Sequence, residues 1–142
     1  MPTAPTDYQT RYPIDFPEID PAARQRVVQL YAADGGKARA ILYRPPRGNP
    51  RTVILMAHPR ADFAHHYTIP YWVEAGFAAC ALNTRYLNND TMMLHENLML
   101  DLAAAVRFLR EEEGFERIVM LGNSGGGSLF AYYDAQARAP KG

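Results

Sequence analysis

Three short, unbroken apolar runs punctuate this chain: "TVILMAH" (52–58), "FAACAL" (77–82) and "RIVMLG" (117–122). Apolar runs this short, without polar alternation, suit strands covered on both faces, as in a parallel sheet lying between helices. The intervening segments fit that scheme. "HHYTIPYWVEAG" (65–76) carries Ile69, Trp72 and Val73 at helical spacing, has Pro70 near its start and stops at Gly76. Residues 92–113, "MMLHENLMLDLAAAVRFLREEE", set Leu94, Leu98, Leu102, Ala105 and Leu109 on one helical face, and Gly114 ends the segment. A further helix is expected from about Gly125 to Arg138. Buried strands alternating with helices mean βαβ units.

Upstream, "RVVQLYAADGGKARAILYRP" reads as a β-hairpin. Val28, Leu30 and Ala32 alternate on the way out, Asp34-Gly35-Gly36 makes the turn, and Ala38, Ala40 and Leu42 alternate on the return. Residues 1–24, rich in Pro, Asp and Thr, read as an extended arm. The fold class is α/β, a mainly parallel sheet with an antiparallel N-terminal hairpin.

Composition bounds the function. A chain of 142 residues makes one domain at most and buries about two-thirds of its unfolded surface. With 48% hydrophobic and 21% charged residues it is globular in composition, not disordered. Fifteen basic and 15 acidic residues cancel, so no electrostatic drive points to nucleic acid or to an anionic membrane surface as a partner. No run approaches the ~18 apolar residues of a membrane-spanning helix. The opening "MPTAPTDYQTRYPIDFPEID" lacks the charged and apolar regions of a signal peptide. The lone Cys80 has no partner for an internal disulfide, and the expected location is the cytoplasm.

The third run leads into "GNSGGGS" (122–128). Each glycine costs roughly 1 kcal/mol relative to alanine in a regular element, so local stability does not ask for them. Gly122-Asn123-Ser124-Gly125-Gly126 is a G-x-S-x-G sequence set between a strand and a helix, the context of a nucleophile elbow. There a serine adopts strained backbone angles on a sharp turn, and the residues two positions either side must be very small. The helix N-terminus then directs free N–H groups at a developing oxyanion, the N–H of Gly125 among them. Two other glycine motifs fail. Gly122 to Gly127 has phosphate-loop spacing, but Ser128 stands where a lysine is needed. A dinucleotide motif counted from Gly125 meets Phe130 at its last glycine position.

With the elbow, the strand 52–58 ending in His58-Pro59, the second βα unit and the helix of 92–113, residues 26–138 resemble the N-terminal half of an α/β-hydrolase-fold serine hydrolase. The resemblance implies hydrolysis of a carboxylic ester or related acyl bond of a small molecule, without a cofactor, with Ser124 as nucleophile. It implies a second oxyanion donor in the loop after strand 52–58, where the family usually has His-Gly. Pro59 has no N–H, so the N–H of Arg60 is the expected donor. Residues 25–142 are then the N-terminal portion of a hydrolase domain incomplete at its C-terminal side.

The resemblance also shows what to look for and not find. The triad runs nucleophile, acid, histidine along the chain. Here His58, His65, His66 and His95 all precede Ser124, and Asp134 lies about three helical turns beyond it. Ser124 therefore has no partner to take its proton. His58 is expected to be structural, His65 and His66 to cap or line the next helix, and His95 to be solvated or at a boundary. His58, Asp62, His65 and His66 match no metal-ligand spacing, so no metal is expected. "REEE" (110–113) reads as a solvated helix end, and Trp72 and the tyrosines as packing, with Tyr67 or Tyr86 within reach of a pocket mouth. The resemblance places 117–122 near the sheet centre, its next neighbour coming from sequence after Gly142. The expectation is a truncated fragment, inactive alone, with a bare apolar edge open to self-association. The alternative is a non-catalytic interaction module built on the same fold.

Overall fold

The computed structural model describes residues 17–139. Strands β1 (Arg24–Tyr31) and β2 (Lys37–Arg44) form the expected hairpin, pairing Leu30 with Ala38 and Val28 with Ala40. Gly35 takes φ +83° at the turn, a conformation open to glycine, and Asp34 accepts the Gly36 N–H at 3.0 Å. β3 (Thr52–His58), β4 (Ala78–Asn83) and β5 (Arg117–Leu121) complete a five-stranded sheet in the order β1-β2-β4-β3-β5. β4 pairs with β3 and β3 with β5 in parallel, and β2 runs against both its neighbours. The sheet is open, with β1 and β5 at its edges.

Helix α1 (Ile69–Glu74) covers one face, meeting Ile54, Met56, Ala79, Ala81 and Tyr43. Helices α2 (His95–Arg107) and α3 (Gly125–Arg138) cover the other, where Val53, Leu55, Ala57, Cys80 and Leu82 meet Leu98, Leu102, Ala105 and Leu129. Every residue of β4 is buried, as its unbroken apolar run requires.

Several expectations are corrected. The helix of 65–76 begins only at Ile69, because Pro70 fits the first helical positions and the preceding residues form turns. Leu94 lies before α2 in extended conformation and is exposed, so the apolar face starts at Leu98. At Phe108 the helix widens into a π-turn through Glu112, and Gly114 (φ +74°) ends it. That turn carries Glu113 back against the sheet. Its carboxylate pairs with Arg44 at 2.9 Å and also with Arg26, so this end of "REEE" is not solvated. β5 is half-exposed, not buried, because among the described residues only β3 pairs with it; Val119 is 42% exposed. Of the arm expected over 1–24, residues 1–16 lie outside the described residues. Residues 17–23 form turns and irregular chain, Ala23 is buried, and Arg24 already belongs to β1.

One buried charge ties three elements together. Asp101 of α2 is fully buried and receives three hydrogen bonds from Arg85, after β4: from its backbone N–H (2.9 Å), Nε (3.0 Å) and Nη2 (2.8 Å). Arg85 also reaches Asp34 in the hairpin turn at 2.6 and 2.9 Å. These contacts hold the Asp34 carboxyl down, from its ordinary 3.8 to about 2. A side chain at Gly36 would meet the Arg85 guanidinium, which would have to give way. Removing one member of a buried, hydrogen-bonded pair strands the other. Asp101→Ala is expected to destabilise the fold by about 3 kcal/mol or more in urea titrations; a loss below about 1 kcal/mol, the range of exposed pairs, would mean the network is dispensable.

Candidate active site

β5 passes through Gly122 and Asn123 into α3, and the turn falls on Ser124 with φ +56° and ψ −125°. This backbone conformation is costly for a side-chain-bearing residue, about 1–3 kcal/mol, and persists only where the surroundings impose it. The glycines impose it. A Cβ on Gly122 would sit 2.5 Å from the Gly127 Cα and 2.6 Å from the Gly126 carbonyl oxygen. A Cβ on Gly126 would overlap the carbonyl oxygen of Ala57 in β3. The first turn of α3 is thus pressed against β3 and folded back on the residue that leaves β5.

Ser124 stands at the helix N-cap without capping it. Its side chain makes no hydrogen bond to the first-turn N–H groups, and the residue is exposed. The Gly126 N–H is taken by the Asn123 carbonyl (2.9 Å) and the Gly127 N–H by that of Ser124 (3.1 Å). Among the described residues neither the Ser124 hydroxyl nor the Gly125 N–H has a hydrogen-bond partner. A hydroxyl and an unpaired N–H therefore stand together at the positive end of a helix.

The loop after β3 supplies the opposite wall. His58 Nδ1 accepts the N–H groups of Arg60 (3.2 Å) and Ala61 (3.0 Å), capping the turn as an aspartate would. Its Nε2 edge faces Gly125, 3.1 Å from where a Cβ there would sit. His58 is thus structural, as expected, and it also borders the serine turn. The Arg60 N–H, expected as an oxyanion donor, is engaged by His58; the Arg60 side chain pairs with Asp90 at 3.4 Å. Burial, and then the Arg60 charge, push the His58 pKa below its ordinary value, favouring the neutral ring.

The residues that hold this loop were not evident from sequence. Asn83, ending β4, accepts the Phe63 N–H (2.9 Å) and donates to Asp62 (2.7 Å). The Thr84 hydroxyl donates to the Pro59 carbonyl (2.7 Å), and the Asn88 N–H to that of Arg60 (2.8 Å). Tyr43 crosses from β2 to donate to the Ala64 carbonyl (2.6 Å). The one local signal was Asp101, a charge within an apolar helical face, which must find a partner; it finds Arg85, next to Thr84.

The other histidines lie elsewhere in the hydrogen-bond pattern. His66 is buried, with Nδ1 on the Thr68 hydroxyl (2.8 Å) and its ring stacked on Tyr67. His65 and His95 are exposed. The Tyr86 hydroxyl accepts from the Leu94 N–H (3.2 Å) and the Asn97 side chain (2.9 Å), so it serves the start of α2. Asp134 pairs with Arg138 at 2.9 Å. Among the described residues no group of three or more His, Cys, Asp or Glu side chains is placed to hold a metal, and no helix is long and apolar enough to cross a membrane.

Topology also singles out this place. From β3 the chain leaves to α1 on one face, and from β5 to α3 on the other. The carboxyl ends of these adjacent strands form a switch point, where open α/β sheets bind ligands. No protein-family model matches the sequence, and no curated protein sequence matches it. Its structure is similar to solved ones. A prolyl endopeptidase superposes with a TM-score of 0.68 and 21% identity, over 83% of this chain and 20% of that one. A post-proline cleaving enzyme from Rickettsia typhi gives 0.68 and 17%, over 81% and 19%. A cold-adapted esterase from an Arctic intertidal metagenomic library gives 0.65 and 21%, over 84% and 57%. The chain has the α/β-hydrolase fold, and it spans less than two thirds of the length of each of these proteins.

Adjacent glycines, one crowded and one not, are expected to respond in opposite ways. Gly126→Ala forces a methyl onto a β3 carbonyl and is expected to cost about 3 kcal/mol, the upper range of overpacking. Gly127→Ala, whose nearest neighbour would be 3.8 Å away, is expected to be neutral or to gain up to about 1 kcal/mol from helix propensity. Urea midpoints in the reverse order would contradict the packing described.

Proposed function

We propose that this chain supplies the nucleophile and anion-stabilising half of a serine hydrolase site that acts on a carboxylic ester or related acyl bond. The observation that carries the reading is Ser124: a strained, exposed serine whose hydroxyl is not spent on the helix it caps. Its Oγ attacks the acyl carbon and forms an O–C bond, its proton goes to a base, and the carbonyl electron pair moves onto oxygen. That oxyanion lies toward the Gly125 N–H and the positive end of α3. Collapse expels the leaving alcohol with the proton, and water releases the acid from the acyl-serine. Among the described residues no imidazole is hydrogen-bonded to Ser124; on this reading the base and its orienting acid come from polypeptide outside residues 17–139. The fold likeness to an esterase and to post-proline cleaving enzymes supports the reaction class, and of those two bond types the ester is more reactive than the peptide amide toward a serine hydroxyl.

The missing base sets the experiment. The 142-residue chain is expected to show no saturable ester turnover. A fluorophosphonate probe is expected to phosphonylate Ser124 slowly, and faster when imidazole is added as a soluble base, with none in Ser124→Ala by peptide mass mapping. Probe on other residues only, or equal labelling of Ser124→Ala, would refute the nucleophile.

A second reading has its own observation. Among the described residues β5 is paired on one side only and exposes Val119, an edge able to template another strand. As an interaction module the chain pairs with a second copy of itself along β5. Size-exclusion chromatography is then expected to give a dimer that Val119→Lys dissociates, and a monomer at all concentrations would rule the module out.

A further inference from the structure

The hydrogen bonds of His58 fix where its proton lies. Two backbone N–H groups, those of Arg60 and Ala61, point at Nδ1 from 3.2 and 3.0 Å. A proton on that nitrogen would face both donors, so the neutral ring must carry it on Nε2. A base drawing a proton from Ser124 would need the opposite arrangement, with the lone pair on Nε2. His58 therefore presents a donor, and that donor borders Gly125, whose own N–H has no partner among the described residues. Pro59 brings no N–H, and the Arg60 N–H is used to orient the ring. What the loop backbone does not offer, the imidazole edge offers in its place.

Building on the nucleophile reading above, we propose that the His58 Nε2–H is an oxyanion donor of this site, paired with the Gly125 N–H across the Ser124 turn. The arrangement is preorganised. The ring is gripped at Nδ1, lies 5.6 Å from the Phe63 ring, and is carried by a loop bolted to Asn83, Thr84 and Asn88. A donor held this way costs no reorganisation when charge appears on the substrate oxygen. Burial and the Arg60 charge keep the ring neutral, which preserves the tautomer.

His58→Asn separates the two jobs of the ring, because its side-chain oxygen can take the place of Nδ1 while nothing occupies the place of Nε2. The variant is expected to keep the wild-type urea midpoint and to phosphonylate at Ser124 about 100-fold more slowly, with imidazole as the soluble base in both cases. In the wild type, long-range 1H–15N spectra are expected to show the Nε2-protonated ring, and phosphonylation of Ser124 to move that proton downfield. A ring protonated on Nδ1, a proton that does not move in the adduct, or undiminished labelling of His58→Asn overturns the proposal. If His58→Asn fails to fold, the two spectroscopic measurements decide. A wild-type chain that cannot be labelled removes the nucleophile and this donor role together. A labelled wild type with an equally fast His58→Asn removes the donor role alone.

Discussion

The first turn of α3 approaches the carboxyl end of β3 too closely for a side chain to stand between them. No atom beyond hydrogen fits on the Gly126 Cα, because the Ala57 carbonyl occupies the space, and none fits on Gly122, because the Gly127 backbone does. Two backbones packed this tightly leave the connecting residue little conformational choice, and Ser124 is forced to φ +56°. The strain is local and the compensation is distributed: Leu129 and Phe130, further along α3, are buried against α2 and the sheet. Each fully buried apolar side chain contributes about 1.5–3 kcal/mol, enough to offset one strained residue at about 1–3 kcal/mol. The serine is held proud because the helix behind it cannot move away.

The opposite wall depends on a longer chain of contacts. His58 ends β3, and its ring position follows from the turn it caps. That turn is held by groups at the end of β4: Asn83 through Asp62 and Phe63, Thr84 through Pro59. Thr84 is followed by Arg85, which is fixed to buried Asp101 and to Asp34 in the hairpin turn. The hairpin, the β4 loop and α2 all converge on a loop they do not belong to. Asp62 fits the same pattern: the Ala64 N–H and the Asn83 amide lower its carboxyl pKa, so it stays an acceptor where the loop needs one.

The strands were legible because burial on both faces demands unbroken apolar sequence, and β3 and β4 met that demand. The turn at Ser124 was legible because only glycine at 122 and 126 tolerates it. β5 misled for a related reason: Ile118, Val119, Met120 and Leu121 read as a covered strand, yet one side of the strand and part of its faces meet nothing among the described residues. Apolar sequence records what a strand is suited to, and exposure depends on which neighbours are present. The Arg60 assignment was illegible for a different reason. Where a backbone N–H points depends on the loop conformation, and here a side chain two residues back claims it. The Arg85–Asp101 pair spans 16 residues, a separation at which no local pattern links the partners, although a charge amid Leu98, Leu102 and Ala105 already demanded one.

The division of labour in such a site follows from magnitudes. One preorganised oxyanion donor is worth about 2.7–4 kcal/mol of barrier, and a positioned general base typically 10²–10⁴-fold in rate. These contributions are not independent, because the oxyanion develops as the attacking hydroxyl gives up its proton. Donors without a base therefore leave a surface that suits a tetrahedral adduct but reaches one slowly. A base without the strained turn would meet a hydroxyl bonded into its own helix cap. In the proposed site, the stretch from β3 to α3 carries the serine, the Gly125 N–H and the His58 ring, groups that must be placed to within a fraction of an ångström by backbone packing. A proton acceptor needs orientation as well as reach and a suitable pKa, and in the proposed site that group comes from outside residues 17–139. The packing of α3 against β3 fixes the serine side of the proposed site whichever segment carries the base.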